Sequence, residues 1–154
     1  MNKKKKKKLL TISYLAVIAY SIHYYSLYYI LSNFLNEYFS RGTLSILFAV
    51  ASFSCIVLSN FFGKILSKFS NKKSLNFFIL SQILITFSLS FAGSINLYII
   101  ALLFLTQFVL YSAISTSINI FIDEFSEDEN VVSIRGVMLT ITNFAAISAP
   151  FMSS

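Results

Sequence analysis

Few residues in this chain could do chemistry, and most of those that could lie among apolar neighbours. One histidine, His23, follows Tyr20 and precedes Tyr24, so the three are spaced for one side of a helix. An imidazole with an ordinary pKa of about 6.5 can titrate or hold a polar ligand, and can equally act as a neutral hydrogen-bonding group between helices. A polar series at four-residue spacing, Gln107, Tyr111, Ser115 and Asn119, is flanked by Ser112 and Thr116. Asn and Gln are costly against lipid and need partners or water. Interhelical bonding accounts for one or two such residues, whereas a stripe along a whole helix points to the wall of a water-filled pathway. The single cysteine, Cys55, excludes an intramolecular disulfide and a cysteine-based metal cluster. It reads as a small buried thiol. The acids Asp123, Glu124, Glu127, Asp128 and Glu129 read as a solvated loop, and with the sole histidine far away they lack metal-ligand spacing. No nucleophile–base pair, metal motif or phosphate-binding loop is present, so neither an enzyme nor a cofactor is expected.

The elements that must carry these residues follow from composition. Hydrophobic residues make up 56% and charged residues 12% of 154, with a mean hydropathy of +0.75. A soluble domain carries about 25% charged residues because its surface needs them. Here the charges cluster and leave long intervals without any. Residues 9–31 contain no formal charge apart from what His23 could acquire, and 44–62, 75–92 and 97–122 are uncharged. A helix needs about 20 residues to cross a hydrocarbon core, and one Lys or Asp at mid-membrane costs about 2.5–3.5 kcal/mol on insertion scales. The sequence therefore predicts an all-α integral membrane bundle with four complete transmembrane helices. A fifth, over about 137–154, runs into the end of the chain and contains Pro150. Residues 1–8 form a basic terminus outside the bundle. Gly42, Gly63, Gly93 and Gly136 fall at the edges of these runs, where helices end and positive φ is expected.

Charge also predicts orientation. Lys3–Lys8, Lys64, Lys68, Lys72, Lys73 and Arg135 fall on one side, and Arg41 alone falls on the other, a split of eleven to one. By the positive-inside rule the N-terminus and the turns after the second and fourth spans are cytoplasmic. The loops over 32–43 and 93–96 face outward. A signal peptide is the competing interpretation of Lys3–Lys8 and Leu9–Ala19, but the apolar region continues to Leu31 with no small-x-small cleavage site. The lysine run abuts a membrane span, so topology and attraction to anionic lipid suffice for it and nucleic acid is not expected. Tyr28, Tyr29, Tyr38 and Tyr98 are placed for an outer aromatic belt. In the second span, Ser45, Ala49, Ser52, Ser59 and Gly63 line one helical face and predict close helix packing. No carboxylate lies within a complete span. If protons move, His23 is the carrier candidate here, or the carrier group lies outside this sequence.

Three segments resemble the major facilitator superfamily of secondary transporters. Between the second and third spans the family has Gly-x-Leu-Ala-Asp-Arg-x-Gly-Arg-Lys-x-x-Leu, which Gly63, Ile65, Leu66, Lys68, Lys72 and Leu75 fit by type and spacing. Ser67 stands at the family's Asp and Ser70 at its second Gly. Arg135-Gly136 matches the Arg-Gly that commonly opens the fifth helix. At the chain's end, Ala145, Ala149, Pro150, Ser153 and Ser154 fall on the antiporter pattern Gly-x-x-x-Gly-Pro-x-x-Gly-Gly, each glycine replaced by another small residue. Gln107 aligns with the family's usual Arg in helix four.

The resemblance implies a twelve-helix carrier of two six-helix halves exchanging access about a central site. This chain is expected to be the N-terminal portion of one half, a fragment whose C-terminal part is missing. The expected function is transport of a small solute, in efflux and with a coupling proton as options, at the plasma membrane. Tyr20, His23, Tyr24, Gln107, Tyr111, Ser115 and Asn119 are the expected pathway residues. Gly63, Ser67, Lys68, Lys72, Lys73 and Arg135 form the gating loop that the resemblance implies. Ala145, Ala149, Pro150 and Ser153 form the antiporter-like segment. Beyond lipid and solute, no metal is expected. The alternative is a small membrane scaffold or assembly subunit that transports nothing itself.

Overall fold

The computed structural model describes residues 3–126 and 131–152. Among them it is all helical: α1 (Lys3–Leu35), α2 (Arg41–Lys68), α3 (Asn71–Leu89), α4 (Leu97–Phe125) and α5 (Val131–Met152), with a short 3-10 turn at Ala92–Ser94. Three helical segments are long and apolar enough to cross a membrane, Arg41–Ser59, Leu97–Phe125 and Val131–Phe151. α1 and α3 are more polar. α1 carries His23 and a run of tyrosines and serines, and α3 has 19 residues that include Lys72, Lys73, Asn76 and Gln82.

Every helix overruns or shifts from the charge-free interval that predicted it. α1 begins inside the lysine run, and α2 continues through Gly63, Lys64 and Lys68. The polar segment expected as a turn over 63–75 is therefore mostly helix, broken only at Phe69 and Ser70, both extended. Charge excludes a residue from hydrocarbon but does not end a helix, because lysine is a good helix former. What ends α2 and starts α3 is capping. The Phe69 N–H donates to the Ile65 carbonyl at 2.9 Å, and the Ser70 hydroxyl accepts from the Lys73 N–H. Ser40 caps α2 by accepting from the Thr43 N–H at 3.2 Å. The Asn96 side chain accepts from the Tyr98 N–H at 2.9 Å at the start of α4.

The glycine expectation is corrected. Among the described residues no glycine has positive φ, and Gly42, Gly63 and Gly136 lie within helices. A Cβ at Gly63, Gly93 or Gly136 would meet nothing within 4 Å. Side-chain caps and extended residues shape the described turns at Ser40, at Phe69 and Ser70, and at Asn96, so glycine's freedom is not used there.

Two compact units divide the chain, Met1–Leu35 with Ile118–Ser154, and Asn36–Ser117. In the first, α1 packs closely against α5. Val17, Ser21, Leu31 and Leu35 are buried on α1, and Ile134, Ala145 and Ala149 on α5. The two alanines, one turn apart and each 2% exposed, suit a close backbone approach.

In the second unit, Phe48 of α2 meets Phe104 and Phe108 of α4 edge-on at 5.0 and 5.7 Å, and Phe62 meets Phe78 of α3 at 6.1 Å. The Cys55 thiol donates to the Phe108 carbonyl at 3.4 Å. The buried residues of α2 are Leu44, Ala51, Phe62 and Leu66. Ser45, Ala49, Ser52, Ser59 and Gly63 are all exposed. The small-residue stripe is therefore not the face that packs here, because large apolar side chains fill the contact instead. Large apolar residues also stand outward on α2, α3 and α5, among them Phe53, Ile56, Phe77, Phe87, Phe144 and Ile147.

Candidate functional site

Polar residues in such helices must be satisfied locally or across a helix contact, because a hydrocarbon environment offers them nothing. Most hydroxyls take the local route. Ser13, Ser45, Ser88, Thr106, Thr116, Thr140, Thr142 and Ser148 each donate to the carbonyl four residues back. Side chains that depart from this pattern single out the polar contacts between helices.

Gln107 is the clearest. It is 4% exposed, and its Nε2 donates to Thr86 Oγ1 of α3 at 3.2 Å. Thr86 Oγ1 lies 3.5 Å from Gln107 Oε1 and donates to the Gln82 carbonyl at 2.9 Å. Gln82, on the same side of α3, is 4% exposed. Nearer the start of α3, Asn71 Nδ2 donates to the Ser117 carbonyl of α4 at 3.0 Å, and Ser74 and Ser117 are buried. The second unit thus contains a polar seam: Asn71, Ser74, Gln82 and Thr86 on α3, facing Gln107 and Ser117 on α4.

The four-residue series on α4 does not stay on that seam. Four residues turn a helix through about 400°, so each step drifts about 40° around the axis. Gln107 is buried, Tyr111 and Ser115 are half-buried, and Asn119 is exposed. Gln107, Tyr111 and Ser115 belong to the second unit and Asn119 to the first. The α3 residues of the seam were missed by the sequence expectations, although Ser74, Phe78, Gln82 and Thr86 repeat at four-residue spacing. That signal was present and was obscured by the long apolar stretch around it.

On α1, in the first unit, Tyr20 is half-buried and His23 exposed. Tyr24 is half-buried, with its ring 5.1 Å from Tyr25 edge-on and 6.0 Å from Tyr28. Tyr20 and Tyr24 therefore share a partly covered side of α1, while His23 is exposed.

In the segment joining α2 to α3, Lys68, Lys72 and Lys73 are exposed and Gly63 is open on its surface. Lys68 Nζ lies 5.9 Å from the Phe69 ring centroid. Ser67 is within α2; its side chain lies outside the described residues. Arg135 and Asp123, in the first unit, form an ion pair, with Arg135 Nη2 at 3.1 Å from Oδ2 and 3.3 Å from Oδ1. Asp123 is thus helical and paired, not part of a wholly free acidic loop, while Glu127, Asp128 and Glu129 lie outside the described residues. Arg135 sits inside α5, which starts four residues earlier than Arg135 itself. Ala145 and Ala149 are buried, Pro150 is half-buried within α5, and Ser153 and Ser154 lie outside the described residues. Among the described residues no group of three His, Cys, Asp or Glu side chains is placed to hold a metal.

Neither the curated proteins nor the solved structures contain a match to the chain. A sequence profile of the Major Facilitator Superfamily matches residues 2–150, spanning all five long helices almost completely. Apolar helices whose hydroxyls mostly bond back to their own backbone suit such a membrane protein, and the chain belongs to the Major Facilitator Superfamily of membrane transporters.

Proposed function

We propose that the chain forms the N-terminal helices of a carrier that moves a small solute by alternating access, in the direction of efflux. The observation that carries the transporter reading is the family match over residues 2–150. In this proposal α1 to α4 are complete spans and α5 a further one, and the N-terminus faces the cytoplasm at the plasma membrane. The eleven-to-one split of basic residues supports that orientation. The small-residue and proline positions Ala145, Ala149 and Pro150 support the efflux direction through their likeness to the antiporter segment.

Solute contact is assigned within the second unit to Tyr111 and Ser115 on α4, and within the first unit, taken by itself, to Tyr20 and Tyr24 on α1; all four are half-buried. His23, exposed on α1, is the candidate for a coupling proton within this chain. Gln107 acts first as a tie between α3 and α4, and Asn119, exposed on α4, is kept only as a pathway candidate. Gly63, Ser67, Lys68, Lys72 and Lys73 of the α2–α3 segment, and separately Arg135 on α5, are assigned to gating at the cytoplasmic face through their likeness to the family's pattern.

The test is solute flux in membrane vesicles holding the natural protein, screened against a panel of radiolabelled organic solutes. Tyr111→Ala and Tyr24→Ala are expected to raise KM for the transported solute, with protein abundance unchanged. Flux unaltered by both changes would remove these residues from the pathway. No flux for any solute, with stable association to another membrane protein, would favour the scaffold alternative.

A further inference from the structure

Not every polar atom of the α3–α4 seam is satisfied within the protein. Asn71 Nδ2 donates to the Ser117 carbonyl at 3.0 Å, yet Asn71 Oδ1 and the hydroxyls of Ser74 and Ser117 are buried with no hydrogen-bond partner. Ser117 is fully buried and Ser74 is 5% exposed. Asn71 and Ser74 are one turn apart on the same side of α3. The amide bond sets that side of α3 against the Ser117 peptide of α4, so Asn71 and Ser117 meet between the helices and Ser74 lies one turn along on the same side of α3. Other helical hydroxyls, such as those of Thr86 and Thr116, return to the carbonyl four residues back. That outlet exists for every helical serine, and Ser74 and Ser117 do not use it.

We propose that Asn71, Ser74 and Ser117 form a binding site for one water molecule that bridges α3 and α4. The donor and acceptor pattern selects the ligand. Asn71 donates its Nδ2 to a carbonyl, which can only accept, so Oδ1 is fixed as an acceptor facing the site. An anion would meet that acceptor and be repelled. A cation would lie at the first turn of α3, the positive end of the helix, beside Lys72 and Lys73. A neutral ligand that donates to Asn71 Oδ1 and exchanges bonds with two hydroxyls satisfies all three, and three partners is the usual number for a buried water. Such a joint tolerates small changes in helix separation that a direct side-chain bond would not.

The site is tested by melting the purified protein in detergent with Ser74→Ala, Ser117→Ala and both together. Each single change is expected to lower the melting temperature by about 2–4 °C. The double variant is expected to fall no further than one of them, because either change removes the same bridge. Exchanging sodium for potassium is expected to leave all four melting temperatures in place. Unchanged or raised melting temperatures in the single variants, or losses that add, would overturn the bridge. A sodium-specific stabilisation lost with Ser117→Ala would overturn it in favour of a cation.

Discussion

Gln107 and Thr86 meet where a primary amide has few alternatives. The Gln107 side chain is 4% exposed, and Thr86 supplies its bond across the helix contact at 3.2 Å. Such bonds between membrane helices average about 0.6 kcal/mol and rarely exceed about 1.7, while a buried polar group left unpaired costs about 1–3 kcal/mol. Thr86→Val is therefore expected to destabilise the fold by about 1–2 kcal/mol, because the amide stays behind. Adding Gln107→Leu is expected to return most of that loss, and a double-mutant cycle on thermal stability checks both. The Arg135–Asp123 pair belongs to a different regime. Its side chains are 66% and 48% exposed, and exposed pairs of this kind contribute about 0–1 kcal/mol. Asp123→Asn is expected to leave the melting temperature close to that of the parent protein. A clear fall in transport with stability intact would then assign the pair to conformational switching.

The helices themselves were largely legible, because a soluble surface needs charge and uncharged runs of membrane length leave it none. Their ends and faces were not. Gly63 marked the edge of an apolar run, yet α2 passes through it and stops at the extended pair Phe69 and Ser70. Hydropathy reports where hydrocarbon would end, whereas capping decides where the helix ends. Likewise Gln107 and Asn119 looked equivalent at multiples of four, and the drift of the helix separates them into buried and exposed positions. The α3 partners Gln82 and Thr86 could be placed opposite Gln107 only once the helices were arranged in space. Capping and close packing can each be probed at one element. Ser70→Ala removes the hydroxyl that accepts from Lys73 N–H, and loss of such a cap costs about 0.5–2 kcal/mol. It is expected to lower thermal stability accordingly and to speed amide exchange in the first turn of α3. On α5, Ala145 and Ala149 are each 2% exposed against a neighbour that leaves little room. Ala149→Leu is expected to cost about 1–3 kcal/mol by overpacking. Serine at the same position is expected to be tolerated, since a small side chain preserves the close approach.

At the scale of the whole molecule, the question is which way the helices run through the bilayer. The family match assigns the chain to a superfamily of membrane transporters, and its charges support the proposed direction. Of its twelve basic residues, Arg41 alone falls in the segments proposed to face outward. Basic residues within about 15–20 positions of a span end dominate orientation, and acids contribute little. The acidic cluster that begins at Asp123 therefore does not offset Arg135 and the lysines. A reporter fused after Glu37 is expected to be active only outside the cytoplasm, and one fused after Phe69 only inside it. The reverse pattern at both points would overturn the proposed orientation while leaving the fold intact. Replacing Lys64, Lys68, Lys72 and Lys73 with Gln is expected to weaken the bias at the α2–α3 segment without inverting the first span. Lys3–Lys8 remain to hold that span, because the first helix usually dominates. Mixed reporter activity after Phe69, with activity after Glu37 unchanged, is the signature of that partial loss.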